Sequence, residues 1–89
     1  MTLDIPQFEK VTLFGTATCA DCLRSRAELS RLGVEYDDID IAADGDAAEL
    51  AQAISGRTST PVIVFPDGEH LVEPSNDELG AKLRSLAIV

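Results

Sequence analysis

Eighty-nine residues, 45% of them apolar, with a formal charge of −9, describe one small acidic domain, read as residues 1–89. A chain of this length buries roughly 60–65% of the surface its unfolded form exposes, enough for a core without metal or a disulfide framework. Sixteen acidic residues against seven basic ones argue against nucleic acid and anionic membrane surfaces as partners, and no apolar run approaches the ~18 residues of a membrane span.

The opening stretch, MTLDIPQFEK, has no basic segment followed by an apolar one, so no secretory leader is read and the cytoplasm is the expected compartment. Val11–Phe14 reads as a buried strand ending at Gly15. Thr18 to Leu32 reads as a helix, with Thr18 as the expected cap and Asp21 three residues on. Leu23 with Ala27, and Leu29 with Leu32, are its expected apolar faces, and Gly33 supplies the stop. Arg24, Arg26 and Arg31 read as a solvated face of this helix, or as a docking patch for an acidic partner.

Val34–Ile41 alternates only in part, and the change of phase near Asp38 predicts a strand end or a bulge. Asp46 is the expected cap of a second helix, with Glu49 at its third position, an apolar stripe of Ala47, Leu50, Ala51 and Ile54, and Gly56 as its stop. Pro61–Phe65 reads as a central strand, Pro66–Gly68 as a turn, and Glu69–Val72 as the returning strand of a hairpin. Ser75–Glu78 is a capping box opening a last helix that carries Leu79, Leu83 and Leu86. The predicted order is β-α-β-α-β-β-α, an α/β fold. Its first two strands are parallel through a helical crossover, its last two form an antiparallel hairpin, and helices flank a four-stranded mixed sheet.

Both cysteines, Cys19 and Cys22, fall where the first strand gives way to the first helix. A cysteine in the first helical turn meets free backbone N–H groups and the positive end of the helix dipole, which stabilise a thiolate. A second cysteine three residues on lies on nearly the same face, so the pair can close and open a disulfide and carry two electrons. Structural zinc needs four ligands, and the single histidine, His70, falls on the predicted hairpin. A purely structural disulfide would close too short a loop to stabilise much. A calcium loop read from Asp40 fails, with Ala42 and Ala51 at its third and twelfth positions. Redox exchange is the leading use of the pair.

At these residues the chain resembles a known family. VTLFGTATCADC, STPVIVFPDG and VEPSNDELGAKL are similar to stretches of glutaredoxins, specifically the mycoredoxin-like glutaredoxins of actinobacteria, over roughly Val11 to Leu86. The resemblance implies a thioredoxin fold and thiol–disulfide exchange. Cys19 would attack a disulfide, and Cys22 would resolve the mixed disulfide or stand by. It implies a cis proline at Pro61, in Ser59-Thr60-Pro61 where the family has threonine-valine-proline, with the Thr60 backbone pairing with substrate like an added strand. Thr18, Ser59, Thr60, Pro61, Ser75 and Asn76 become the expected substrate-binding residues.

The chain departs from the family at four places. Thr18 stands where an aromatic residue or proline is usual, and Ala20-Asp21 where small-then-aromatic is usual. Thr58 stands in a commonly basic slot, with Arg57 one residue earlier, and VEPSN replaces a Gly-Gly pair. Asp21 places a negative charge near Cys19, which opposes a thiolate, although it also suits the helix dipole. Fewer basic and N–H partners for carboxylates favour mycothiol, whose sugar–inositol headgroup has none, over glutathione as the low-molecular-weight thiol. No bound cofactor or metal is expected. The expected partners are protein or small-thiol disulfides and an upstream thiol-disulfide reductase, with the protein acting as a monomer. Three alternatives stand beside this reading: an electron donor to ribonucleotide reductase fed by thioredoxin reductase, an iron–sulfur or metal carrier sharing a cluster through Cys19, and a redox-inactive binding module on the same fold.

Overall fold

β1, Val11–Gly15, is buried at every position because both faces of the sheet it centres are covered. The computed structural model describes residues 5–89; the first four residues of the opening stretch lie outside them. After β1 follow α1 (Ala20–Arg31), β2 (Tyr36–Asp40), α2 (Gly45–Ser55), β3 (Val62–Val64), β4 (His70–Val72) and α3 (Asn76–Ser85), in the expected order. The four strands lie side by side as β2-β1-β3-β4. β1 runs parallel to β2 and antiparallel to β3, and β3 pairs antiparallel with β4.

The two-residue period of the strands splits the core in two. Val11, Leu13, Ile63 and Phe65 meet Leu29 of α1 and Leu79 and Leu83 of α3 on one face. Phe14, Val62 and Val64 meet Ala47 and Ala51 of α2 on the other. β2 shows no bulge: its register runs unbroken from Val11↔Tyr36 to Gly15↔Asp40. The apparent change of phase arises because Tyr36 packs on the α1/α3 face and Ile39 on the α2 face.

Three further expectations are corrected by the structure. The cap of α1 is Cys19 rather than Thr18, and the cap of α2 is Asp44 rather than Asp46. The Asp44 carboxylate takes the N–H groups of Asp46 and Ala47, each at 3.1 Å, which leaves Asp46 in the first turn where its charge suits the dipole. The buried stripe of α1 is Cys22, Ser25 and Leu29, one helical face at spacings of three and four, with Glu28 beside it. Leu23 sits a quarter-turn away and is 53% exposed, and Ala27 is exposed with it.

The stops behave as read. Gly33 adopts φ +71° after the Leu32 cap, with Gly33 N–H to Ser30 O and Val34 N–H to Leu29 O, a Schellman closure that drives Val34 onto Leu29 in the core. The Ser75–Glu78 capping box is formed in both directions. No helix among the described residues is long and apolar enough to cross a membrane.

Candidate functional site

Cys19 ends the loop after β1 and caps α1. Its backbone is extended (φ −78°, ψ 118°), and its Sγ accepts the Cys22 N–H at 3.2 Å, the bond a serine or aspartate oxygen makes in an ordinary cap. The same sulfur lies 3.4 Å from Thr60 Oγ1, which can donate to it, and 3.7 Å from the Thr60 carbonyl, which can accept from it. The Thr60–Pro61 peptide bond is cis, as the resemblance implies, and Pro61 is buried. The turn before β3 lies against the head of α1, forty-one residues away in sequence.

Burial of the Cys19 sulfur pushes its pKa up. Hydrogen bonds from the Cys22 thiol, the Thr60 hydroxyl and the backbone N–H groups of Cys22 and Asp21 outweigh that, so Cys19 titrates below the ordinary cysteine value. Cys22 behaves in the opposite sense. It is fully buried, and burial, followed by the neighbouring Cys19 sulfur, holds its thiol above the ordinary value against donation from the Thr16 N–H and the Thr60 hydroxyl. Both cysteines are free thiols. One is poised to ionise first, and the other is kept protonated beneath it.

Around this pair the contacts run through Pro61, Glu73, Pro74 and Arg24. The Pro61 carbonyl accepts the Glu73 N–H at 3.0 Å, and the Pro74 carbonyl accepts Arg24 Nη2 at 3.2 Å, which fastens the head of α3 to α1. Arg24 also holds the Asp21 carboxylate at 3.0 Å, so the charge that the sequence places beside Cys19 has a paired counter-charge. Glu73 adopts φ +49°, a left-handed conformation that costs a non-glycine residue about 1–2 kcal/mol. The Ser75 hydroxyl is taken up by the Glu78 N–H, and Asn76 opens α3 on the exposed side. Ser59 is half-buried in a groove of about 140 Å³ beside the proline turn, shared with Gln52, Arg57, Thr58 and Thr60. Thr18 is exposed just ahead of Cys19.

Two contributors were not singled out from the sequence. Gly15 lies under Cys22, and nothing local to it signals that contact. Arg24 was read only as part of a cationic face, although its three-residue spacing from Asp21 was a readable sign of the pair. Each of the three α1 arginines has an acidic partner: Arg24 pairs with Asp21, Arg26 with Asp38 at 2.9 Å, and Arg31 with Glu28 at 2.7 Å.

Residues 11–71 match the family model described as Glutaredoxin. A candidate glutaredoxin of Mycobacterium tuberculosis is 37% identical over 78 residues, spanning 86% of this chain and 93% of that one. Mycoredoxin 1 of Corynebacterium glutamicum is 35% identical over 79 residues, spanning 86% of this chain and 96% of that one. The crystal structure of a glutaredoxin from Archaeoglobus fulgidus matches with a TM-score of 0.77 at 30% identity, covering 84% of this chain and 86% of that one. The fold is thioredoxin-like, and glutaredoxins are in general thiol–disulfide oxidoreductases. The chain belongs to the glutaredoxin family, and its relatives include members of the actinobacterial type.

Proposed function

We propose that this protein reduces disulfides through Cys19 and Cys22, with a low-molecular-weight thiol as reductant and mycothiol preferred to glutathione. The observation that carries the exchange reading is the Cys19 sulfur itself. It caps a helix, accepts the Cys22 N–H at 3.2 Å, and faces Thr60 Oγ1 at 3.4 Å across the proline turn. Such a sulfur ionises readily and is partly open to a partner.

The Cys19 thiolate attacks one sulfur of a substrate disulfide R–S–S–R′. A Cys19–S–S–R bond forms, and R′–S⁻ departs with the electron pair of the broken bond. Cys19 then carries no charge, so the repulsion that helped to keep Cys22 protonated disappears. Cys22 loses its proton to the departing thiolate or to water and attacks Cys19 Sγ, releasing R–S⁻ and leaving the Cys19–Cys22 disulfide. On the monothiol route a small thiol attacks the mixed disulfide instead. The residues expected to hold substrate are Thr18 beside the nucleophile, Ser59, Thr60 and Pro61 along the turn, and Ser75 and Asn76 at the head of α3.

The head of α3 supports the preference for mycothiol. The Ser75 N–H is donated to Glu78 Oε1 at 2.9 Å and the Glu78 N–H to Ser75 Oγ at 3.1 Å, so the capping box has consumed donors that a carboxylate ligand would use. Glu73, Asp77 and Glu78 add negative charge there. On the other side of the turn the groove offers one cation, Arg57. A headgroup of hydroxyls suits this surface better than a thiol with two carboxylates.

The test is disulfide reduction by wild type, Cys19→Ser and Cys22→Ser. Loss in Cys19→Ser, with retained mixed-disulfide turnover in Cys22→Ser, is expected; activity surviving in Cys19→Ser sinks the mechanism. Cys22→Ser is then offered the disulfides of mycothiol and of glutathione. Capture of mycothiol at least about tenfold faster, a difference of about 1.4 kcal/mol, is expected. Equal or reversed rates overturn the choice of thiol and leave the exchange chemistry standing.

A further inference from the structure

The slot before the cis proline holds valine in the family tripeptide and Thr60 here, so this chain carries a hydroxyl where an apolar branch is usual. Thr60 presents two of its polar groups, hydroxyl and carbonyl, to the Cys19 sulfur. Its hydroxyl is 3.4 Å from Cys19 Sγ and its carbonyl 3.7 Å. The two serve opposite states. A thiol has an S–H to give and can direct it at the carbonyl. A thiolate has none and can only accept, which the hydroxyl satisfies by rotation of a single O–H bond. Valine has nearly the same shape and keeps the carbonyl, but it serves only the first state. Among the described residues, Thr60 is the one hydroxyl side chain that bonds Cys19.

We propose that the Thr60 hydroxyl is a catalytic group that donates to the Cys19 sulfur whenever that sulfur carries charge, both in attack and in departure. The proposal rests on the reading of Cys19 as the exchange nucleophile. In attack, the thiolate gives its electron pair to a substrate sulfur, the substrate S–S bond breaks, and the hydroxyl is released. In departure, a small thiolate attacks the R sulfur of Cys19–S–S–R, the R–S–S–R″ bond forms, and Cys19 leaves with the pair of the broken bond. The hydroxyl already faces the sulfur on which that charge gathers. No oxidant or reductant beyond the two thiols and the disulfide takes part.

A donor that favours the thiolate makes it more abundant and a better leaving group, but intrinsically less nucleophilic. That trade gives the test a signature that simple damage lacks. The reduced wild-type protein, Thr60→Val and Thr60→Ser are titrated by ultraviolet thiolate absorbance, and the rate of Cys19 alkylation by iodoacetamide is followed across pH with mass-spectrometric assignment of the site. For Thr60→Val the thiolate fraction on the acid side of the midpoint is expected to fall about tenfold, the scale of a lost hydrogen bond to a charged group. Its alkylation rate should fall only roughly fourfold there and rise roughly threefold on the alkaline plateau, so that the two pH–rate curves cross. Thr60→Ser should follow wild type.

A Thr60→Val curve that overlays wild type, or that lies below it by one factor at every pH, overturns the proposal. So does a Thr60→Ser curve that follows Thr60→Val, since the methyl group would then be the active part. If no variant, wild type included, turns over a disulfide while the titrations still separate as expected, the exchange reading fails and the role of the hydroxyl on Cys19 stands.

Discussion

Gly15 and Cys22 meet where position 15 has no side chain: a Cβ built there would lie 2.6 Å from Cys22 Sγ and 3.2 Å from its Cβ. β1 is buried at every position and Cys22 is fully buried, so neither side of the contact can yield easily. Gly15→Ala is therefore expected to cost about 1–3 kcal/mol by overpacking. Urea denaturation should show a lower midpoint at an unchanged slope. A variant as stable as wild type, with Cys22 equally protected from alkylation, would falsify the contact as a constraint.

Arg24 answers the question that Asp21 raised. The pair is exposed on both sides, 44% and 41% by side chain, and so contributes only about 0.2–1 kcal/mol to stability. Removing one member tests whether its charge reaches the neighbouring sulfur. Arg24→Ala leaves the Asp21 carboxylate unpaired near Cys19 and should reduce the thiolate fraction at neutral pH roughly twofold to fivefold. Adding Asp21→Asn should restore it. Failure of the double variant to recover would assign the loss to the broken Arg24–Pro74 contact instead.

Lys82 ties α3 to the hairpin turn and gives a pH dependence with a definite sign. Its Nζ lies 2.7 Å from Asp67 Oδ2 and 2.8 Å from Glu69 Oε1, and 5.7 Å from the centre of the Phe65 ring. The hydrogen bond from Lys82 holds the Asp67 carboxyl below its ordinary range, and the bonds to Asp67 and Glu69 hold Lys82 above its own. The Asp67 contribution is present above the pH where the unfolded carboxyl titrates, near 3.9, and is lost as pH falls through its folded pKa. The Lys82 contribution is present below the ordinary lysine value and is lost as pH rises through its raised one. Lys82→Met should lower Tm at neutral pH, and the gap from wild type should narrow when the medium is made strongly acidic. A gap of constant size would assign the effect to packing over Phe65.

The parts of this molecule that were readable in its sequence are those decided within a few residues. The cysteine spacing, the glycine stops, the Pro66–Gly68 turn and the Ser75–Glu78 box each carry their own chemistry. Thr18 and Asp46 were misplaced as caps because a cap is a competition among neighbours. Cys19 won with a sulfur, which the usual preference for oxygen does not foresee, and Asp44 won by reaching two N–H groups instead of none. The apolar count misled at α1, where Leu23 faces out and Ser25 faces in. Which face a short helix buries is set by where its first turn must put Cys22, and that depends on Gly15 and the sheet. Thr60 carried the same blind spot: its backbone role came with the resemblance, but the reach of its hydroxyl to Cys19 exists only once the turn and the helix are brought together.

The burial of Cys22 also makes this protein its own clock. A reagent that labels Cys19 at once has no access to the second sulfur until the start of α1 lifts from the sheet. The rate of the second labelling event thus counts local openings of that helix. Two thiols of one chain, differing in depth and in acidity, would report ionisation and breathing separately in a single mass spectrum.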